Sequence, residues 1–281
     1  MYFISEVSSN HSKDLERCIE FIKVSAEIGC DAVKFQLFEV EKLFSHEVFK
    51  ANPSVLDRKH WEIPREYFGP IREACNHYNI QLGCTPFDIG AVEFLNDYVD
   101  FFKIASYELL WTDLIVECAK TDKDLIISTG MSNLQEVKNA KNALDNISFK
   151  KYSFLHCVSA YPTPSYEANL SAIETLKNEL NCKIGWSDHT VNQGVVYRAI
   201  NKWGAEIIEF HLDLDGKGEE YSSGHCWLPI EMKKVIDGVR CGKESDGSGD
   251  KVPQRSEISD REWRADPADG LRPTISLRSK L

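Results

Sequence analysis

Short runs of β-branched and aromatic residues alternate with amphipathic stretches along the whole chain, about eight times over. The runs that read as strands are Tyr2–Val7, Ala32–Phe38, Ile80–Pro86, Phe101–Ser106, Asp124–Gly130, Tyr152–Ser159, Lys183–His189 and Glu206–Asp213. Between them the period changes to that of a helix. Leu15 to Ile28 carries apolar residues at helical spacing and stops at Gly29, and Asn133 to Leu144 follows Ser132 with Gln135 and Glu136 in its first turn, which is N-cap chemistry. The helix Glu231–Arg240 closes the series. Eight strands in strict alternation with helices predict an α/β protein, a closed parallel TIM (β/α)8 barrel forming a single domain over residues 1–240. Residues 241–281 turn to Gly, Ser, Asp and Lys and then to a basic, Pro-bearing stretch, which predicts a partly irregular C-terminal tail, either docked or disordered.

A closed barrel places its chemistry at the carboxyl ends of its strands, and the polar residues of this chain collect there. They are Glu6, Lys34 and Gln36, Thr85, Lys103 with Ser106 and Glu108, Ser128 and Thr129, His156 with Ser159 and Tyr161, Ser187 to His189, and His211. The strand starts are mainly apolar. Polar residues punctuate strand ends in many proteins, but here every strand contributes at least one. The connection from Glu39 to Ile63 is long for a βα loop and reads as a partial lid.

The last two strands each end in a histidine and flank a single helix. Parallel neighbours would bring His189 and His211 together, and rigidly spaced imidazoles suit a divalent metal; two unrelated histidines at strand ends are the alternative. Lys34 and Lys103 sit inside apolar strands. A single such lysine can snorkel to solvent, whereas two in the same register favour a phosphate or carboxylate pocket. Ser128-Thr129-Gly130 lies before a helix N-terminus and complements them as an anion cradle. Glu6 and Glu108 are placed to bind hydroxyls or move protons, or to serve as salt-bridge partners. His156, inside an apolar strand, reads as a core histidine before it reads as a third ligand.

Composition narrows the function classes. Hydrophobic content of 42% with 27% charged residues is that of a globular protein, and the longest apolar runs are strand-sized, so neither a membrane partner nor a membrane span is expected. The net charge of −11 argues against a nucleic-acid partner, which needs a basic face; a small anion in a lysine-lined cleft remains compatible. Nine cysteines with no CxxC pair read as buried hydrophobes of a cytoplasmic protein.

Six motifs in series resemble the sialic acid synthase (N-acetylneuraminate synthase) family over roughly residues 1–240: Ala32-Val33-Lys34-Phe35-Gln36, Thr85-Pro86-Phe87-Asp88, Lys103-Ile104-Ala105-Ser106-Tyr107-Glu108, Ser128-Thr129-Gly130-Met131, His156-Cys157-Val158-Ser159-Ala160-Tyr161-Pro162 and Ser187-Asp188-His189-Thr190. Order and spacing match as well as composition. The resemblance implies a metal-dependent transferase that condenses phosphoenolpyruvate with an N-acetylated amino-sugar aldehyde such as N-acetylmannosamine, releasing phosphate and forming a nonulosonic keto acid. It implies Mn2+ or Mg2+ on His189 and His211, and phosphate and carboxylate held by Lys34, Lys103, Ser106, Ser128, Ser187 and Thr85. Glu6 and Glu108 would meet sugar hydroxyls or transfer protons, Tyr161 would close the sugar site, and Gln36, Thr129 and Ser159 would also bind substrate. A homodimer is implied too.

The chain departs from that pattern in places. Ala105 and the bulky Tyr107 stand where the family usually has glycines, and Ser159 replaces a residue that is often asparagine. The acidic residue expected after the last strand has Glu219 or Glu220 as its nearest counterpart, Glu220 being taken as substrate-binding. The family's antifreeze-like C-terminal domain has no match here. The sugar therefore stays open, as do another phosphoenolpyruvate-dependent keto-acid synthase or aldolase on the same barrel, and a barrel that binds a sugar or protein without turnover.

Overall fold

The computed structural model describes residues 1–281, which divide into two compact units, Met1–Val239 and Arg240–Leu281. In the first, eight parallel strands close into a barrel: β1 Tyr2–Glu6, β2 Ala32–Leu37, β3 Gln81–Pro86, β4 Phe101–Ile104, β5 Asp124–Ser128, β6 Tyr152–His156, β7 Lys183–Asp188 and β8 Ile207–Leu212. Each pairs with the next, and β8 returns to β1 with Tyr2 opposite Ile207 and Glu6 opposite His211. The expected TIM barrel is thus present. A ninth strand that the hydrophobic pattern does not announce, β9 Cys226–Trp227, adds to β8 with Cys226 opposite His211.

The strand assignments from the pattern overrun at the carboxyl end by one to three residues in most cases, as at β6, which ends at His156 rather than Ser159. Beyond those ends the backbone leaves the strand conformation, as at Val7, which is right-handed helical, and at Ser106, which opens a 3-10 turn, and periodicity does not register where that change begins. Helices fare better because their ends are marked chemically. α1 Leu15–Ile28 starts where the Asp14 carboxylate accepts from the Glu16 and Arg17 amides, and it ends where Gly29 takes φ 94°, a left-handed C-cap.

The long connection after β2 is folded rather than loose. It holds α2 Val40–Leu43, α3 His46–Ala51 and a 3-10 stretch Pro53–Trp61, gathered around a small core of Phe38, Val40 and Val55. The remaining helices of the barrel are α4 Phe68–Tyr78, α5 Ile89–Leu95, α6 Thr112–Lys120, α7 Leu134–Asn146, α8 Ala172–Leu180, α9 Gln193–Asn201 and α10 Pro229–Glu244. On α7 the cap is Asn133, in a full capping box with Glu136; the Ser132 hydroxyl instead donates to the Thr129 carbonyl. The second unit contains a 3-10 stretch Arg255–Trp263 and α11 Ile275–Arg278, organised by the buried Asp266, whose carboxylate accepts from the Ala268 and Ile275 amides.

Two kinds of core position the site. One large apolar cluster lies between the barrel and its helices, and includes Phe3, Phe21, Phe35, Phe102, Phe154, Trp186 and Phe210. A second, smaller cluster of Ile4, Ala32, Phe101, Ile126, Leu155 and Ile207 comes from the opposite strand faces and plugs the barrel interior, because successive side chains on a strand point to opposite sides. Gly83 makes room for this plug: a Cβ there would lie 2.2 Å from the Phe101 ring. Gly83→Ala should destabilise the protein by about 1–3 kcal/mol through overpacking, measured as a lowered urea midpoint at unchanged m-value. A midpoint equal to that of the parent would show that Phe101 does not fill the barrel over Gly83.

Candidate active site

Above the apolar plug the inward positions become charged. Glu6 on β1 forms an ion pair with Lys34 on β2, and Lys34 Nζ donates to Thr85 Oγ1 at 3.0 Å. Glu209 on β8 stands 3.5 Å from Lys103 Nζ and 4.0 Å from Lys34 Nζ, and accepts from Ser187 Oγ at 3.0 Å. All four charged residues are 4% exposed or less. The two lysines flagged by the sequence therefore converge, but each faces a barrel carboxylate rather than an empty anion pocket.

Glu209 was not among the expected site residues. Its neighbours Ile207, Ile208 and Phe210 make the segment read as buried core, although strand alternation puts residue 209 on the face of His211, and that was the available signal. Burial and the two charges oppose one another in this network. Burial pushes the Lys34 ammonium down, yet Glu6 and Glu209 more than reverse this and its pKa is raised. For Lys103 burial prevails and the pKa is lowered despite Glu209. Burial works against an ionised Glu209, but Lys103 and Lys34 hold its pKa down.

Hydroxyls from β4, β5 and β6 form the next part. Ser106 Oγ accepts from the Gly130 amide at 3.0 Å and lies 3.1 Å from Cys157 Sγ. Gly130 allows this approach, since a Cβ there would come within 2.2 Å of Ser159 Oγ. The buried hydroxyl oxygens of Ser128 and Ser159 have no hydrogen-bond partner, and such groups are normally satisfied by protein, water or ligand. Thr129 differs: its hydroxyl is spent on the Leu155 carbonyl at 3.1 Å. Glu108, in a 3-10 turn after β4, has a buried oxygen without a partner, and burial raises its pKa to about 7 against the pull of Lys103.

Imidazoles occupy the side of the rim formed by β7, β8 and the loop that follows. His189 and His211 lie with ring centroids 5.4 Å apart. His189 Nδ1 meets the Val158 carbonyl at 2.8 Å; donating there leaves Nε2 as a free lone pair, the arrangement metal-ligating histidines commonly show. Burial and then His211 push its pKa down to about 3, so the ring is neutral at physiological pH. The residue before it, Asp188, accepts the indole N–H of Trp186 at 3.0 Å and of Trp227 at 2.9 Å with its buried carboxylate.

His211 Nδ1 is 2.9 Å from Glu220 Oε2, and His225 Nε2 is 3.4 Å from the same oxygen. Glu220 raises the His211 pKa against the effect of burial, and is itself held well below the carboxylate range by the two histidines despite burial. Tyr161 packs against the group, tilted toward His189 with centroids 4.4 Å apart and edge-on to His225 at 4.9 Å and His211 at 6.0 Å. The other oxygen of Glu220 accepts from Ser8 Oγ at 2.5 Å, and Ser8 Oγ accepts from Gln36 Nε2 at 3.2 Å. Gln36 Nε2 also donates to Glu6 at 2.8 Å, so a continuous chain of contacts runs from the histidines to Lys34.

The loop bearing Glu220 is fixed from below. The Glu220 amide donates to Asn10 Oδ1 at 2.8 Å, while Arg17 pairs with Asp213 at 2.8 Å and Asp215 at 3.0 Å. His156 stands apart from all of this, bonded through Nε2 to the Ala168 carbonyl and packed on Trp186, as a core histidine. A cavity of about 750 Å³ opens at the other end of the barrel, among the strand starts Tyr2, Gln81, Asp124 and Lys183. It contains no histidine, and the convergent polar groups are not there.

A closed parallel barrel with charged residues, free hydroxyls and imidazoles gathered at its carboxyl-terminal rim defines a TIM-barrel enzyme. A model described as the NeuB family matches residues 21–251. The chain is 32% identical to N,N'-diacetyllegionaminic acid synthase of Legionella pneumophila, over all of its own length and 81% of that protein, and 30% identical to pseudaminic acid synthase of Campylobacter jejuni, over 89% and 76%. Its structure is similar to that of a sialic acid synthetase from Leptospira borgpetersenii, with TM-score 0.81, 30% identity and coverage of 94% and 90%. A 3-deoxy-D-arabino-heptulosonate 7-phosphate synthase from Thermotoga maritima, TM-score 0.68 at 12% identity over 87% of each chain, shares the fold. The chain belongs to the NeuB family and is an enzyme of the sialic acid synthase type. No helix is long and apolar enough to cross a membrane.

The raised Glu108 pKa carries a test. Between the ordinary value of 4.5 and about 7 the folded state holds a proton that the unfolded state has lost, so this group makes stability fall as pH rises through that window. The loss amounts to at most about 3 kcal/mol. Glu108→Gln should therefore stabilise the protein relative to the parent at pH 8 and much less at pH 4.5. Equal urea stability of the two at both pH values would place Glu108 in an environment unlike the one described.

Proposed function

We propose that this enzyme condenses phosphoenolpyruvate with an N-acetylated amino-sugar aldehyde of the N-acetylmannosamine kind, giving a nonulosonic keto acid and inorganic phosphate. A carbon–carbon bond forms between the methylene of phosphoenolpyruvate and the aldehyde carbon. The aldehyde oxygen gains a proton, water adds to the enol carbon, and the bond from that carbon to the phosphate oxygen breaks. The observation that carries this reading is the convergence of two buried lysines, the partnerless hydroxyls of Ser128 and Ser159, and the imidazole group on one end of the barrel. The names of the relatives, which are synthases of legionaminic and pseudaminic acids, support the substrate class.

Lys34, Lys103, Thr85, Ser106, Ser128 and Ser187 would bind the phosphate and carboxylate. Their pairing with Glu6 and Glu209 keeps the empty site close to neutral, and each ammonium can still offer a proton to an incoming anion. Glu108, neutral up to about pH 7, is suited to donate the proton that the aldehyde oxygen takes up. Glu6, Gln36, Thr129, Ser159, Tyr161 and Glu220 would shape the sugar end. Thr129 would act through its backbone, given the bond its hydroxyl makes to Leu155.

The donor chemistry of His189 and His211 fits a divalent metal, Mn2+ or Mg2+ in this proposal. One imidazole has its lone pair freed by Val158, and the other has a carboxylate at its edge. Bound there, the metal would supply Lewis-acid polarisation of the acceptor aldehyde. We also assign the enzyme to the cytoplasm, supported by nine free cysteines, and to a homodimer. Exposed Tyr107, Leu110 and Trp111 on the loop after β4 support an apolar contact between copies.

Phosphate release on mixing the protein with phosphoenolpyruvate, Mn2+ and a panel of N-acetylated hexosamines tests the proposal. His189→Gln and His211→Gln should each lose at least about 100-fold, the upper range for disturbing a mere outer-shell partner. Full activity in either variant, or no release with any sugar while metal binds, would overturn it.

A further inference from the structure

We propose that His225 is a third imidazole ligand of the metal centre and Glu220 its carboxylate ligand, so that the centre consists of His189, His211, His225 and Glu220. The inference rests on the function proposed above for its metal, and extends it to residues the two-histidine reading leaves out.

Its basis is a distance pattern. One donor atom from each of His211, Glu220, His225 and Cys226 lies within 4.8 Å of the others; His189 stands outside that set and borders it through its ring, 5.4 Å from that of His211 and 6.5 Å from that of His225. Donor atoms about 2.1 Å from a common cation, at angles between octahedral and tetrahedral, are about 3.0–3.4 Å apart. The two contacts of Glu220 Oε2, 2.9 Å to His211 Nδ1 and 3.4 Å to His225 Nε2, bracket that range. His225 and His211 also bring their rings to 4.8 Å between centroids.

A second observation is independent of spacing. His225 is 4% exposed, and its Nδ1 is buried with no hydrogen-bond partner. Its Nε2 meets only Glu220, at 3.4 Å, so the nitrogen turned toward the cluster is not spent on a structural contact outside it. Cys226 is turned to Asn10 Nδ2 at 3.4 Å and is not assigned as a ligand.

The fold explains why these residues meet. β9 pairs with β8 directly beside His211, so the residue before it, His225, must lie at the rim next to that ring. Asn10 and Arg17 hold the intervening loop so that Glu220 reaches between the two. Three imidazoles and a carboxylate favour manganese and its transition-metal neighbours over magnesium, which prefers oxygen ligands and retains its waters.

The test uses the full chain stripped of metal. Manganese affinity is measured by the free Mn2+ electron paramagnetic resonance signal, and coordinated imidazoles are counted by pulsed resonance on protein carrying 15N-histidine. His225→Gln should weaken manganese about 10–100-fold and lower the imidazole count by one, whereas Cys226→Ala should bind as the parent does. If His225→Gln fails to fold, the count on the parent protein decides, three supporting the assignment and two refuting it. Unchanged affinity and count in His225→Gln, with manganese lost in His211→Gln, overturns the inference and leaves the proposed function standing. A parent protein that takes up no manganese overturns both.

Discussion

The mutual neutralisation of Glu6, Lys34, Glu209 and Lys103 inside the barrel is the constraint on which the rest of the site depends. Four charges with 4% exposure or less would be prohibitively costly alone, and removing one partner from such a set typically costs about 3–5 kcal/mol. Arranged as alternating carboxylates and ammoniums from β1, β2, β4 and β8, they are tolerated, and they fix those strand ends relative to one another. The apolar plug of Ile4, Ala32, Phe101, Ile126, Leu155 and Ile207 lies one layer beneath and keeps water from reaching them from the other side. Function and stability are therefore linked here. The groups suited to binding an anion are the same groups whose pairing makes the barrel interior possible.

Around this network the rim divides by chemistry. The β4 to β6 side presents hydroxyls, with Gly130 cut back so that Ser106 and Ser159 can approach. The β7 to β9 side presents imidazoles, each with a definite neighbour: Val158 for His189, and Glu220 for His211 and His225. Gln36 and Ser8 bridge the imidazole side to the central charge network through Glu6 and Glu220. A change at the histidines is thus connected to the lysine network by a few direct hydrogen bonds.

Much of this was legible residue by residue. The alternation of strand and helix patterns leads to the barrel because a βαβ unit has essentially one way to pack, with right-handed crossover, and Asp14 and Gly29 delimit α1 by local chemistry alone. The rim positions of Glu6, Lys34, Lys103, His189 and His211 follow from the fold class once the strands are found. The strand ends were less well defined, since β6 stops at His156 although Cys157 to Ser159 remain apolar or small. The segment from Glu39 to Ile63, read as a partial lid, is folded, with its own apolar cluster, which periodicity did not announce.

Sequence by itself determined the barrel, the end of it that carries the chemistry, and the strands on which the lysines and two histidines sit, because these depend on short-range periodicity and on a topology with few alternatives. Tertiary structure alone decided the partners: that Glu209 neutralises Lys103, that Glu220 reaches His211, that the Thr129 hydroxyl is consumed by Leu155, and that His225 arrives beside them just before β9. Those pairings join residues on different strands and loops. Which carboxylate lies within 3–4 Å of which cation is settled by strand register and loop path, and neither leaves a periodic trace in the chain.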